Sequence, residues 1–136
     1  MNSLYENLPI YKKALDLTVS FENIVRGFSR YHKYTVGAEL RNLSRRILVL
    51  IAKANIKRER VSVLSEALKS LEELKVLIRL CKEIKAFRSF KSYELATRLT
   101  IEVAKQCEGW LRSQNSSPVV WLGSAPIATG RSFRLK

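Results

Sequence analysis

The chain holds one histidine, His32, the residue type most used for acid–base catalysis, and nothing beside it completes a site. No Ser, Cys or Lys neighbour makes a nucleophile–base pair with it, and no two carboxylates are spaced for acid–base work, so catalysis is poorly provided for. Cys81 and Cys107 each sit alone among apolar neighbours. Without a CxxC or Cys/His grouping they frame no disulfide and ligate no metal; they read as core, because a free thiol packs as a small hydrophobe. No cofactor is implied. The chemistry the sequence does supply is phosphate binding: 25 Lys and Arg against 12 Asp and Glu leave a net charge of +13 on 136 residues. Such an excess costs self-repulsion unless a polyanion relieves it, and the expected partner is a nucleic acid.

The charge is concentrated. Residues 31–60 hold eight Lys and Arg against two Glu. Projected at the helical period, Arg41, Arg45 and Lys53 fall opposite the Leu40, Leu43, Ile47 and Ala54 stripe, with Arg46 to one side and Lys57, Arg58 and Arg60 following at the helix end. With Lys12, Lys13 and Lys33 these are the candidate nucleic-acid contacts. Lys75, Arg79 and Lys82 form a second row, beside the buried edge marked by Leu71 and Ile78, and are the candidate contacts for a protein or RNA partner. Contacts of this kind go to phosphates, which gives affinity and salt dependence without reading a sequence. No zinc-finger spacing, RRM aromatic motif, GXXG clamp or basic-zipper heptad is present. Tyr31 and Tyr34 flank Lys33 in the alternation of aromatic and basic residues that suits base stacking, although aromatics at a helix joint are more often packing.

Four amphipathic segments must position these residues. Ile10, Ala14, Leu17, Phe21, Ile24 and Phe28 predict a first helix over 9–29, with Pro9 in its first turn. A polar joint at 31–37 leads to a second, carried by Val36, Leu40, Leu43, Ile47, Leu50 and Ala54 and ending near Ile56. The third follows Leu64, Leu68, Leu71, Leu74, Ile78 and Cys81 as far as Lys85. Ser89 then caps a fourth, read from Ala96, Leu99, Val103, Gln106 and Trp110 to about Ser113, in which Gly109 reads as a mark of close helix packing. Joints of about 4 to 8 residues between helices of about 18 to 26 make neighbours antiparallel. The fold class is therefore all-α, an up-down-up-down four-helix bundle over residues 1–113.

Residues 114–136, rich in Gly, Pro and Ser, with three basic residues and no acid, read as a flexible basic tail. Within it Val119-Val120-Trp121-Leu122 is an apolar patch expected to dock on a partner or a neighbouring copy. No run is long and apolar enough to span a membrane, and the N-terminus lacks a signal peptide's basic start and apolar stretch; a cytoplasmic location with no membrane contact is expected.

Two resemblances bear on function. Arg26 and His32, separated by five residues, resemble the Arg-x(4–6)-His signature of helical HEPN ribonucleases, which implies that both would act on an RNA phosphodiester. Gly27 stands where that signature has a polar residue, and the pair falls at a helix end rather than within a late helix.

Residues 5–113 as a whole resemble the accessory variability determinant (Avd) family of diversity-generating retroelements, four-helix bundles related to the proteins of 23S rRNA intervening sequences. The likeness is carried by Tyr11-Lys12-Lys13-Ala14-Leu15, by Lys33-Tyr34-Thr35-Val36-Gly37-Ala38-Glu39-Leu40-Arg41, and by Ala52-Lys53-Ala54. Glu72-Glu73-Leu74 before Leu77-Ile78-Arg79-Leu80, Phe87-Arg88-Ser89-Phe90-Lys91-Ser92-Tyr93 and Gly109-Trp110-Leu111 continue it. Where the intervening-sequence branch has a Ser-Ile-Pro-Ala-Asn-Ile-like run, this chain has Arg45-Arg46-Ile47-Leu48.

The resemblance implies a homopentameric barrel that performs no chemistry. It implies a protein that binds the element's reverse transcriptase and template RNA, and DNA non-specifically, so enabling mutagenic cDNA synthesis. Leu48, Val49 and Ile101, apolar positions off the main stripes, could serve subunit contacts. The alternatives are an RNA- or ribosome-associated bundle of the intervening-sequence type, and a HEPN-like ribonuclease using Arg26 and His32.

Overall fold

In a computed structural model, residues 4–115, 121–122 and 125–126 are described. A 3-10 turn at Leu4–Asn7 leads to α1 (Pro9–Arg26), followed by α2 (Arg30–Tyr34) and α3 (Val36–Lys53). A second 3-10 turn at Lys57–Glu59 precedes α4 (Arg60–Glu83), and α5 (Phe90–Asn115) completes the bundle. Beyond it two-residue strands, β1 (Trp121–Leu122) and β2 (Ala125–Pro126), pair antiparallel with Trp121 opposite Pro126. The rest of the expected tail, Val119 and Val120 included, lies outside the described residues.

The four long helices α1, α3, α4 and α5 close a ring of neighbours, α1 against both α3 and α5, and α4 against the same two. Side-chain bridges fix their directions. Thr18 Oγ1 donates to the Ser44 carbonyl at 3.1 Å, while Val25 lies beside Gly37, so α1 and α3 run antiparallel. Arg46 pairs with Glu66 across α3 and α4, Lys82 lies over the Tyr93 ring across α4 and α5, and Lys13 meets Glu102 at 3.3 Å across α1 and α5. The topology is up-down-up-down.

The apolar stripes read from the sequence form the core. Leu17, Phe21, Leu40, Ile47, Leu64, Leu71, Leu74 and Val103 are fully buried, each worth roughly 1.5–3 kcal/mol relative to exposure. Cys81 and Cys107 are buried among them, and burial pushes their thiols up to about 11 and about 12, with smaller contributions from Glu39 and Glu108. Thr18 and Thr100 are buried polar residues satisfied by the carbonyls of Ala14 and Ala96, at 2.9 and 2.7 Å.

The joints depart from the sequence reading. The first helix stops at Arg26 rather than Ser29, because the Gly27 amide turns back to the Ile24 carbonyl at 3.0 Å. Ser29 is instead the N-cap of α2, its Oγ accepting from the His32 amide at 3.4 Å, so much of the expected polar joint is a helical turn. Thr35, at φ −111° and ψ −101°, breaks α2 from α3. Gly37 lies inside α3, where an added Cβ would fall 2.6 Å from Val25 Cγ1 and 2.9 Å from the His32 carbonyl; only glycine lets α1 and α3 approach so closely.

α3 ends at Lys53 rather than near Ile56. α4 ends at Glu83, two residues before the expected Lys85, in a paired turn. The Ala86 amide donates to the Cys81 carbonyl at 2.8 Å and the Lys85 amide to the Lys82 carbonyl at 3.1 Å, with Lys85 at φ 61°. Ser89 caps α5 as expected, accepting from the Ser92 amide at 3.2 Å. Gly109 does not mark close packing: an added Cβ there would meet nothing within 4 Å.

Candidate nucleic-acid interface

The ladder expected on the second helix is not a free outward face. Arg41 sits half-buried on the flank of α3 facing α1, where its Nη2 donates to the Glu22 carbonyl at 2.9 Å and its Nε lies 3.1 Å from the Glu22 carboxylate. Arg45 reaches the other oxygen of the same carboxylate at 2.7 Å, and Arg46 pairs with Glu66 on α4. The projection predicts Arg41 opposite the Leu40 stripe; burial of Gly37, Ser44 and Ile51 as well turns the packed face of α3 toward it, and the carboxylate arriving from the neighbouring helix is what a single-helix projection cannot show. Lys13 is likewise engaged with Glu102, whose carboxyl is held below the ordinary carboxylate range by that hydrogen bond first, opposed by some desolvation, and then by Arg98.

The joint between α3 and α4 is different. Lys53, Lys57 and Arg58 are exposed, and no ion pair or hydrogen bond engages their side chains among the described residues. Lys12, exposed and also unpaired, stands at the same end of the bundle, beside the groove where Tyr11 of α1 meets Lys53, Asn55 and Ile56. Arg60 does not join them. Its Nε donates to the Ala54 carbonyl at 2.7 Å, its Nη2 to the Asn55 carbonyl at 3.3 Å, and its Cζ lies 4.9 Å from the Trp110 ring centre. It is a clasp between helices.

At the opposite end, Lys33 is half-buried in α2 between Tyr31 and Tyr34, which are 73% and 72% exposed. These two rings do not serve as packing at a joint, contrary to the commoner reading, and stand open to solvent. The His32 ring meets Tyr31 edge-on at 5.5 Å, with its Nδ1 enclosed and unbonded.

The row on α4 also proves more ordinary than its sequence. Lys75 pairs with Glu72 at 2.8 Å, Arg79 with Glu83 at 3.1 Å, and Lys82 lies 5.0 Å from the Tyr93 ring centre. The one-sign row therefore carries the usual i,i+3 and i,i+4 partners of a solvated helix. Lys75 and Arg79 nevertheless flank a groove of about 280 Å³ between α4 and α5, floored by Ile78, Tyr93, Thr97 and Ile101.

Arg26 and His32 are not brought together as a catalytic pair: no hydrogen bond joins them among the described residues. Arg26 instead lines a cleft with Arg88, Asn23 and Ser92, and His32 is not part of it. Sequence reasoning missed Arg88. The signal was available, because in an up-down-up-down bundle the end of the first helix must lie against the start of the last.

No group of three His, Cys, Asp or Glu among the described residues could hold a metal ion, and no helix among them is long and apolar enough to cross a membrane. The fold and its charge define a basic helical bundle. Residues 8–114 match the model of the bAvd-like family, and the chain belongs to that family, in agreement with the resemblance carried by its motifs. No match was found among curated proteins.

Proposed function

We propose that this protein is a non-catalytic accessory protein of a diversity-generating retroelement, binding nucleic acid through phosphates and delivering template RNA to a reverse transcriptase. The observation that carries this is the unpaired cationic joint of Lys53, Lys57 and Arg58 on a member of the bAvd-like family. Three cations that no ion pair engages among the described residues repel one another in the free protein, and a phosphate backbone relieves them while releasing counterions. The exposed Tyr31 and Tyr34 offer stacking surfaces for unpaired bases. Lys75 and Arg79, at the rim of the α4–α5 groove, are the proposed reverse transcriptase contacts, where a docked protein would strip water from charge pairs now held in solvent.

Self-association into a closed ring, a pentamer by resemblance, is supported by two apolar surfaces. One is the α1–α3 flank with Leu15, Val19, Val49 and Ile56; the other is the outward row of Val76 and Leu80 on α4 with Ile84 just past its end. Different patches on different helices suit a head-to-tail contact, which closes into a ring when the rotation allows. Val49 and Ile101 are exposed, whereas Leu48 is half-buried against the core.

The test is reconstitution with the reverse transcriptase of a diversity-generating retroelement and its template RNA. cDNA synthesis should require the protein, survive His32→Ala, and be lost in Lys75→Glu with Arg79→Glu while helical circular dichroism is unchanged. RNA cleavage by the purified protein that disappears in His32→Ala, with no reverse transcriptase bound, would replace this reading with the nuclease one.

A further inference from the structure

The arginines of this bundle differ in their partners. Arg41, Arg45, Arg46, Arg79 and Arg98 each face a glutamate. Arg26 and Arg88 have no such partner among the described residues, and they line a single cleft of about 390 Å³ between the end of α1 and the start of α5. No carboxylate belongs to its lining. The remaining walls supply the Asn23 amide and the Ser20 and Ser92 hydroxyls over an apolar floor of Ile24 and Leu95. Gly27 leaves room for the Arg88 stem: a Cβ there would sit 3.3 Å from Arg88 Cδ and 3.5 Å from Arg88 Cβ, so the stem lies closely against the bare turn.

Two arginines in the lining of one concave surface, with neutral donors around them and no acid, are complementary to an oxyanion. The planar fork of each matches two phosphoryl oxygens, and an apolar floor strengthens such contacts relative to open water. We propose that this cleft binds a phosphoryl group of a nucleic acid strand, with Arg26 and Arg88 as the clamp. The inference deepens the nucleic-acid reading and rests on it for the identity of the ligand, but it concerns the end of the bundle away from Lys53, Lys57 and Arg58.

The test uses the full chain and an Arg26→Gln, Arg88→Gln variant. In ¹⁵N–¹H spectra, inorganic phosphate should shift the Gly27 and Ser92 amides of the wild type and leave those of the variant in place. Acetate at equal ionic strength should not reproduce the shifts. Fluorescence anisotropy with single-stranded RNA should show the variant weakened roughly tenfold or more. Its slope of log affinity against log salt should be shallower by about 0.7 for each phosphate that the variant leaves unneutralised.

Strands with a 5′-hydroxyl and a 5′-phosphate separate the sources. A loss shared by both assigns the cleft to the backbone, and a loss confined to the phosphorylated strand assigns it to the terminus; either supports the clamp. Unmoved amides, unchanged RNA affinity in the variant, or equal shifts with acetate would overturn it. If Lys57→Gln with Arg58→Gln weakens RNA binding while the cleft variant does not, the cleft fails and the nucleic-acid reading stands. Phosphate shifts in a wild-type protein that binds no RNA would keep the cleft as an anion site, overturn its assignment to a nucleic acid strand, and sink the nucleic-acid reading.

Discussion

Arg60 lays its guanidinium 4.9 Å from the centre of the Trp110 ring while its Nε donates to the Ala54 carbonyl at 2.7 Å. One side chain at the first residue of α4 thus closes the C-terminus of α3 and rests on the last turns of α5, where its Nη1 also reaches Gln114 at 3.5 Å. Arg60→Ala should lower stability by about 1–3 kcal/mol, because carbonyls lose a charged donor and the ring loses its cation. Arg60→Lys should restore only part, since an ammonium cannot both stack and donate from a fork. Urea unfolding measures both. A change in RNA affinity larger than that of Lys57→Gln with Arg58→Gln, with no loss of stability, would contradict this structural role.

Two positions carry residues that do not suit their backbone. Gly109 lies inside α5 with open space where a Cβ would be, and Lys85 holds φ 61° where glycine is at ease. Gly109→Ala should stabilise by about 0.5–1 kcal/mol through the helix propensity of alanine, and Lys85→Gly by up to about 1 kcal/mol through relief of the left-handed conformation. Thermal or urea unfolding should show both gains, and they should add, because the sites sit at opposite ends of the bundle.

How much of the structure is legible in the sequence depends on distance along the chain. The buried stripes through Leu17, Leu40, Leu71 and Val103, the cap at Ser89 and the core thiols all follow from periodicity and local chemistry within one helix. The end of α1, the extra turn of α2 and the Lys85 turn escape the residue pattern because each depends on local backbone hydrogen bonding at a helix boundary, where that pattern is weakest. The charged surface escapes it for another reason. Glu22 lies 19 residues before Arg41 and 23 before Arg45, so that neutralisation emerges only once α1 and α3 are packed. The Arg26–Arg88 cleft is likewise a product of topology.

That pairing changes what charge reversal should do. Arg41→Glu with Arg45→Glu would set two carboxylates against Glu22, so the melting temperature should fall together with RNA affinity. Lys57→Glu with Arg58→Glu touches no acid pair and should weaken RNA and DNA about equally at an unchanged melting temperature. Wild-type affinity should itself drop by orders of magnitude between about 50 and 200 mM salt if about six or more phosphates are contacted. A flat salt response, or reversal at Lys57 and Arg58 that leaves affinity untouched, would remove the joint from the interface.

The two thiols give a test of the core that is independent of any partner. Burial raises Cys81 to about 11 and Cys107 to about 12, so at pH 8 neither presents an appreciable thiolate, and neither is open to a reagent. Iodoacetamide should leave both unmodified in the native protein and alkylate both in urea, read by intact mass. The same shifts fix the sign of a pH effect. In the unfolded chain the thiols lose their protons from about pH 8.5 upward, whereas the folded protein retains them until about 11 to 12. Above pH 8.5 the unfolded state therefore binds fewer protons, and unfolding free energy must fall as pH rises through that window. Cys81→Ala with Cys107→Ala should be less stable at pH 7, from the poorer packing, yet show a shallower decline between pH 9 and 11. Rapid native-state alkylation at pH 8, or a decline of equal slope in the variant, would mean that the thiols are not held in the bundle's interior.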